Sequence, residues 1–213
     1  MRLAAAMIAP GLVPGVSAAP NGPARTGRVV DAAHVLSDTT KQDMTQKLAA
    51  LEAKTSRQLI VVTLPSLQGY EISDYGYQLG RAWGIGQAKL NNGVLFIIAP
   101  NEHRTRIEVG YGLEPIVTDA LSSIIIQTKV LPAFRKGDFN AGVVAGTDAL
   151  IEQLSLNTSE AEKRAAAAEH QAASQDQGSP LGGLAALFIV LFIFFRLFGG
   201  WGVLPFLFMG GGG

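Results

Sequence analysis

AWGIGQAKLNNGVLFIIAPNEHRTRIEVGYGLEPIVTD, residues 82–119, decides the fold. Residues 94–99 form an unbroken apolar run between Gly93 and Pro100, which suits a central strand covered on both faces, where alternation is not needed. The next run is different: Thr105, Ile107 and Val109 alternate with Arg104, Arg106 and Glu108, as in a half-exposed strand. Only residues 100–103 separate the two, so they pair as an antiparallel hairpin. The end of the second strand then lies beside the start of the first, which brings Asn91 and Asn92 close to the loop carrying Glu114 and Asp119.

Working outward, Met44, Leu48 and Leu51 recur at helical spacing after Ser37 and Asp38, either of which could cap, so residues 39–54 are a predicted amphipathic helix. Residues 59–64 follow as an apolar strand stopped by Pro65. Ile72, Tyr75, Leu79 and Trp83 mark a second helix leading to the strand at Val94. Strand, helix and strand in that order make the two buried strands parallel, with a right-handed crossover. Leu121, Ile125, Thr128 and Leu131 give a third helix face ending near Pro132, and Asp138 caps a fourth with Phe139, Val143, Leu150 and Leu154 inward. These pieces make an α/β domain with a small mixed sheet.

The ordered set VVDAAHVLS (29–37), AWGIG (82–86), NNGVLFIIAP (91–100), RIEVGYGLE (106–114), TDA (118–120) and PAFRKGDFNAG (132–142) closely resembles the TPM domain. That family occurs in bacterial envelope proteins and in a thylakoid-lumen protein of the photosystem II repair cycle. The resemblance spans residues 27–154 and rests on the order of the pieces, since no single one is specific. It implies a three-layer α/β/α sandwich, secreted or membrane-tethered. For some relatives it also implies divalent-cation binding, and for the plant relative an acid phosphatase activity.

Composition excludes several classes. Lys and Arg number 17 and so do Asp and Glu, a zero balance without a basic cluster, which argues against nucleic acid as a partner. The chain has no Cys, so disulfides, thiolate catalysis and thiolate metal sites are ruled out. There is no Walker loop and no G-x-G-x-x-G, hence no nucleotide signature, and neither a G-x-S-x-G elbow nor an H-E-x-x-H helix. The bare pairs Gly84/Gly86 and Gly110/Gly112 suit close backbone approach or positive φ better than a phosphate cradle. His34, His103 and His170 are scattered and read as surface residues.

Both ends carry targeting signals. Residues 1–18 read as a signal peptide, with Arg2 ahead of an apolar stretch and Val16-Ser17-Ala18 as the cleavage site; a disordered Ala/Pro/Gly tail is the alternative. The domain is assigned to residues 27–155, and residues 156–180 to an Ala/Gln/Ser-rich spacer whose helix is capped by Ser159 with Glu162. Residues 181–198 are a predicted transmembrane helix, long enough for a hydrocarbon core of about 30 Å once Leu197 and Phe198 are included. Residues 199–213 are an apolar, Gly-rich tail. Arg196 snorkels to a cytoplasmic headgroup layer, so a single-pass protein results, with the domain on the periplasmic or extracellular side and a cytoplasmic C-terminus. The expected partners are the membrane, through that helix, and a protein of the cell envelope.

One constellation carries chemistry: Asp31, Asn91, Asn92, Glu114 and Asp119, all oxygen donors of the kind that bind a hard cation, Ca²⁺ or Mg²⁺. The hairpin gathers four of them. Asp31 joins only if the leading segment runs antiparallel to its neighbour or folds back. Each has a local explanation as well. Asp119 sits in a first helical turn, Asn92-Gly93 is a turn pair, and Asp31 suits a cap, whereas Glu114 before Pro115 has no such simple role. The family pattern often has Asp where this chain has Asn91, which removes a charge here. Two functions follow as expectations: a tethered extracytoplasmic module that binds a divalent cation and a partner, or a metal-dependent phosphate monoesterase using Asp31 or Asp119.

Overall fold

The computed structural model describes residues 20–177. The segments expected to be a signal peptide (1–18), a transmembrane helix (181–198) and an apolar tail (199–213) lie outside the described residues. Among the described residues no helix is long and apolar enough to cross a membrane.

The chain is a mixed α/β domain built on a four-stranded sheet in the order β1 (Val29–Asp31), β2 (Gln58–Thr63), β3 (Gly93–Ala99), β4 (Arg104–Val109). β1, β2 and β3 are parallel, and β4 is antiparallel to β3 with Val94 opposite Val109 and Ala99 opposite Arg104. Every residue of β3 is buried, while β4 buries only Ile107 fully, as a central and an edge strand should.

Side chains of successive strand residues point to opposite faces and build two cores. Val61, Phe96, Ile98 and Ile107 join the larger core with residues of α1 (Asp38–Thr55), α3 (Asp119–Ile125), α5 (Phe139–Ser155) and α6 (Thr158–Gln177). Ile60, Val62, Leu95 and Ile97 join the smaller one under α2 (Ile72–Ala82), through Tyr75 and Leu79. Helices therefore cover both faces of the sheet.

Local signals set the helix ends. Ser37 caps α1 by accepting from Thr40 N–H, and Ser56 closes it in the left-handed conformation at φ 59°, donating to Glu52 O. Asp138 caps α5 by accepting from Ala141 N–H at 2.8 Å. The predicted third helix is not continuous. α3 ends at Ile125, a π turn covers Ile126–Val130, and the short α4 (Leu131–Phe134) follows. Pro132 offers no N–H to the carbonyl of Thr128 and its ring crowds that position, so the backbone widens by a residue before the proline.

The spacer assignment for residues 156–180 needs correction over most of its length. α6 is docked on the domain, with Ala161, Ala165 and Ala168 buried in the larger core. Gln153, itself fully buried, donates from its side-chain amide to Ala161 O at 3.0 Å and clips the helix to α5. The cap also lies two residues earlier than expected: Asn157 Oδ1 accepts from Glu160 N–H (3.0 Å) and Asn157 Nδ2 donates to Glu160 Oε2 (2.7 Å). The alanine side chains are small enough for close helix approach, which is why a segment without large apolar residues still packs.

Candidate functional site at the amino end of the central strand

The hairpin continues past β4 through backbone pairing. Gly110 N–H donates to Gly93 O (2.7 Å) and Gly112 N–H to Asn91 O (3.2 Å), which seats the 3-10 turn Tyr111–Leu113 against Asn91. Glycine is required here by close approach. A Cβ on Gly112 would run into Leu90 O, and one on Gly86 would lie 2.7 Å from Gly93 N at a backbone φ of +85°. Both G-x-G pairs are therefore backbone devices.

Two adjoining grooves result. The larger, about 570 Å³, is lined by Tyr77 and Arg81 of α2, by the 84–88 loop, and by Asn91, Glu108, Tyr111 and Glu114. The smaller, about 450 Å³, shares Glu108 and Glu114 and adds Arg106, Asp119 and Glu169. Asn91, exposed and held at φ 47°, and Glu114 thus meet in one groove, and Glu114 and Asp119 in the next. The side chains of Asn91, Glu114, Asp119 and Glu169 make no hydrogen bond or ion pair with any described residue. Glu108 is instead paired with Arg106 at 2.6 Å.

Two of the five expected residues do not join them. Asn92 is at the right end of the sheet but only 7% exposed. Its Oδ1 accepts from Gln87 N–H (2.8 Å) and its Nδ2 donates to Ser56 O (2.6 Å), so the side chain ties the 84–90 loop to the end of α1. Asp31 lies at the opposite end, because β1 runs parallel to β2 and carries it beside Thr63. Its Oδ1 accepts from Val35 N–H (3.1 Å) and from the Thr63 hydroxyl (2.5 Å), and its Oδ2 from Leu36 N–H (3.1 Å). Among the described residues no group of three or more His, Cys, Asp or Glu side chains is gathered closely enough to form a ready-made metal cluster.

Tyr77, Arg81, Tyr111 and Glu169 were not expected in the site. Tyr77 is 56% and Tyr111 76% exposed. Arg81 donates to the Tyr77 hydroxyl at 2.8 Å and lies 5.6 Å from its ring centroid, which raises the guanidinium pKa and keeps the charge at the rim. Tyr77 falls outside the Tyr75/Leu79 phase of α2, and that mismatch is the signal that marks it from sequence. His34, His103 and His170 are all exposed, as expected.

The TPM domain model matches residues 29–153, 125 of the 213 residues. No curated protein matches the chain. Among solved structures, the chain is similar to the N-terminal domain of a protein from P. gingivalis, at 36% identity over 61% of this chain and 82% of that one, with a TM-score of 0.57. It is also similar to the BA42 protein of the psychrophilic bacterium Bizionia argentinensis, at 20% identity over 58% of this chain and 83% of that one, with a TM-score of 0.50; this likeness concerns the fold alone. With a family model covering more than half of its length and a solved relative at 36% identity, the chain belongs to the TPM domain family.

Proposed function

We propose that this TPM domain is a membrane-tethered, extracytoplasmic interaction module of the cell envelope, and that the end of the sheet bearing Asn91, Glu114 and Asp119 binds a divalent cation. What supports the reading is that Glu114 and Asp119 face one groove with no internal cation or N–H to satisfy them. Two carboxylates, the Asn91 amide, backbone carbonyls and water are hard oxygen donors, suited to Ca²⁺ or Mg²⁺. Two acids rather than a full cage correspond to a dissociation constant on the order of 10⁻⁴ to 10⁻³ M, the range of extracellular modules. The tether is residues 181–198, with the C-terminus cytoplasmic.

The alternative, a metal-dependent phosphate monoesterase, is less well supported. Of its two candidate nucleophiles, Asp31 is held by three hydrogen bonds and Asp119 has no basic side chain bonded to it. Titration calorimetry of the full chain in detergent micelles with calcium and magnesium tests the preferred reading. Binding heats should fall at least tenfold in apparent affinity in Glu114→Gln and Asp119→Asn; unchanged heats in both variants would remove these residues as ligands. Metal-dependent hydrolysis of a chromogenic phosphate ester, lost in a folded Asp119→Asn variant, would reverse the preference.

A further inference from the structure

Among the described residues the outer edge of β4 is open. Because Gly110 and Gly112 donate to Gly93 and Asn91, the even-numbered residues of this strand turn their backbone groups toward β3, in register with Glu108 opposite Leu95 and Arg106 opposite Ile97. Thr105, Ile107 and Val109 therefore turn N–H and C=O away from the sheet. Among the described residues no strand lies beyond β4, and none of these groups has a hydrogen-bond partner. The 450 Å³ groove lies against this edge, with residues 106–109 on one side and residues 117–120 with Glu169 on the other.

The groove is also strongly acidic. Glu114, Asp119 and Glu169 line it with no cation bonded to any of them among the described residues, while Arg106 and Glu108, whose side chains turn to the α2 face, are bonded to each other at 2.6 Å. An unpaired strand edge supplies affinity through main-chain bonds, and pockets beside it select alternate side chains. We propose that β4 accepts an extended peptide segment bearing Lys or Arg at alternate positions as a fifth strand, with the basic side chains directed at Asp119 and Glu169. A second copy of this chain fits less well. A two-fold antiparallel pairing of β4 with itself keeps the faces, so the copy presents Thr105, Ile107 and Val109 to the α3–α6 side and no cation to Asp119 or Glu169. The proposal goes beyond the cation reading, since it needs only the strand edge and the charges.

The test is fluorescence anisotropy of the full chain in zwitterionic micelles with a labelled ten-residue peptide of alternating Val and Lys. EDTA in the buffer keeps the outcome separate from that of the cation titration. Saturable binding is expected. It should weaken about fivefold in the double variant Asp119→Asn/Glu169→Gln, which removes two rim ion pairs. It should be lost when alternate backbone nitrogens of the peptide are methylated, and be absent for a peptide of alternating Val and Glu. Absence of saturable binding overturns the proposal, and so does equal affinity for the methylated peptide, which would mean charge attraction without strand pairing. A chain dimer that the Val/Lys peptide fails to disperse would assign the edge to a second copy and likewise overturn it.

Discussion

The two ends of the sheet use the same residue types in opposite ways. At the carboxyl end of the parallel strands, Asp31 answers two backbone N–H groups and the Thr63 hydroxyl, so most of its acceptor capacity is used within the fold. At the other end the side chains of Asn91, Glu114 and Asp119 hold no internal bond among the described residues, and exposed tyrosines line the groove of Asn91 and Glu114. A carboxylate already bonded within the fold stabilises it, whereas an uncommitted one on a groove wall is free to meet something else. Asn92 shows that position alone does not decide: it belongs to the open end, yet both ends of its amide are bonded inward.

The largest effect that sharpens this contrast is on Asp31. Asp31→Ala strands the N–H groups of Val35 and Leu36 and should cost about 3 kcal/mol in urea unfolding, while leaving calcium affinity unchanged. Asn92→Ala should cost about 2 kcal/mol, because Gln87 N–H and Ser56 O lose their partner in a buried site, again without removing cation binding. By contrast, Glu114→Gln and Asp119→Asn should change unfolding free energy by no more than about 0.5 kcal/mol, since each breaks no internal contact. A large loss of stability in either would break the contrast.

A smaller effect comes from the buried face under α2. Burial raises the pKa of the Tyr75 phenol. The folded state thus holds this proton more tightly than the unfolded chain, so the associated stability is complete below the unfolded value near 10 and declines as pH rises above it through the folded value. Melting temperature should therefore fall as pH rises above about 10, and Tyr75→Phe should flatten that part of the profile. An identical slope in the variant would show that other groups govern alkaline stability.

The hairpin and the strand-helix-strand unit were legible in sequence because both are written in local hydrophobic pattern: a continuous run for β3, alternation for β4, and helical spacing of Tyr75 and Leu79 between two apolar strands. The hairpin accounts for Asn91 and Glu114 lining one groove, whereas Asp119 lines only the adjoining one. What local pattern does not carry is non-local pairing. Asn92 turns inward because Ser56 and Gln87 come from two other segments, and Asp31 stays away because β1 pairs parallel to β2. α6 was missed as part of the domain for a different reason. Three buried alanines make a packing face too small to register against a polar helix, and the contact depends on how close α3 comes. Likewise, the groove wall gains Glu169 only because α6 docks.

Amide chemical shifts of the isotopically labelled full chain during a calcium titration test the central claim most directly. The account predicts saturable shifts at Asn91, Glu114 and Asp119, with residues 31–36 unmoved. Shifts centred on Asp31, or an unchanged spectrum at calcium concentrations well above 10⁻³ M, the weak end of extracellular sites, would contradict it.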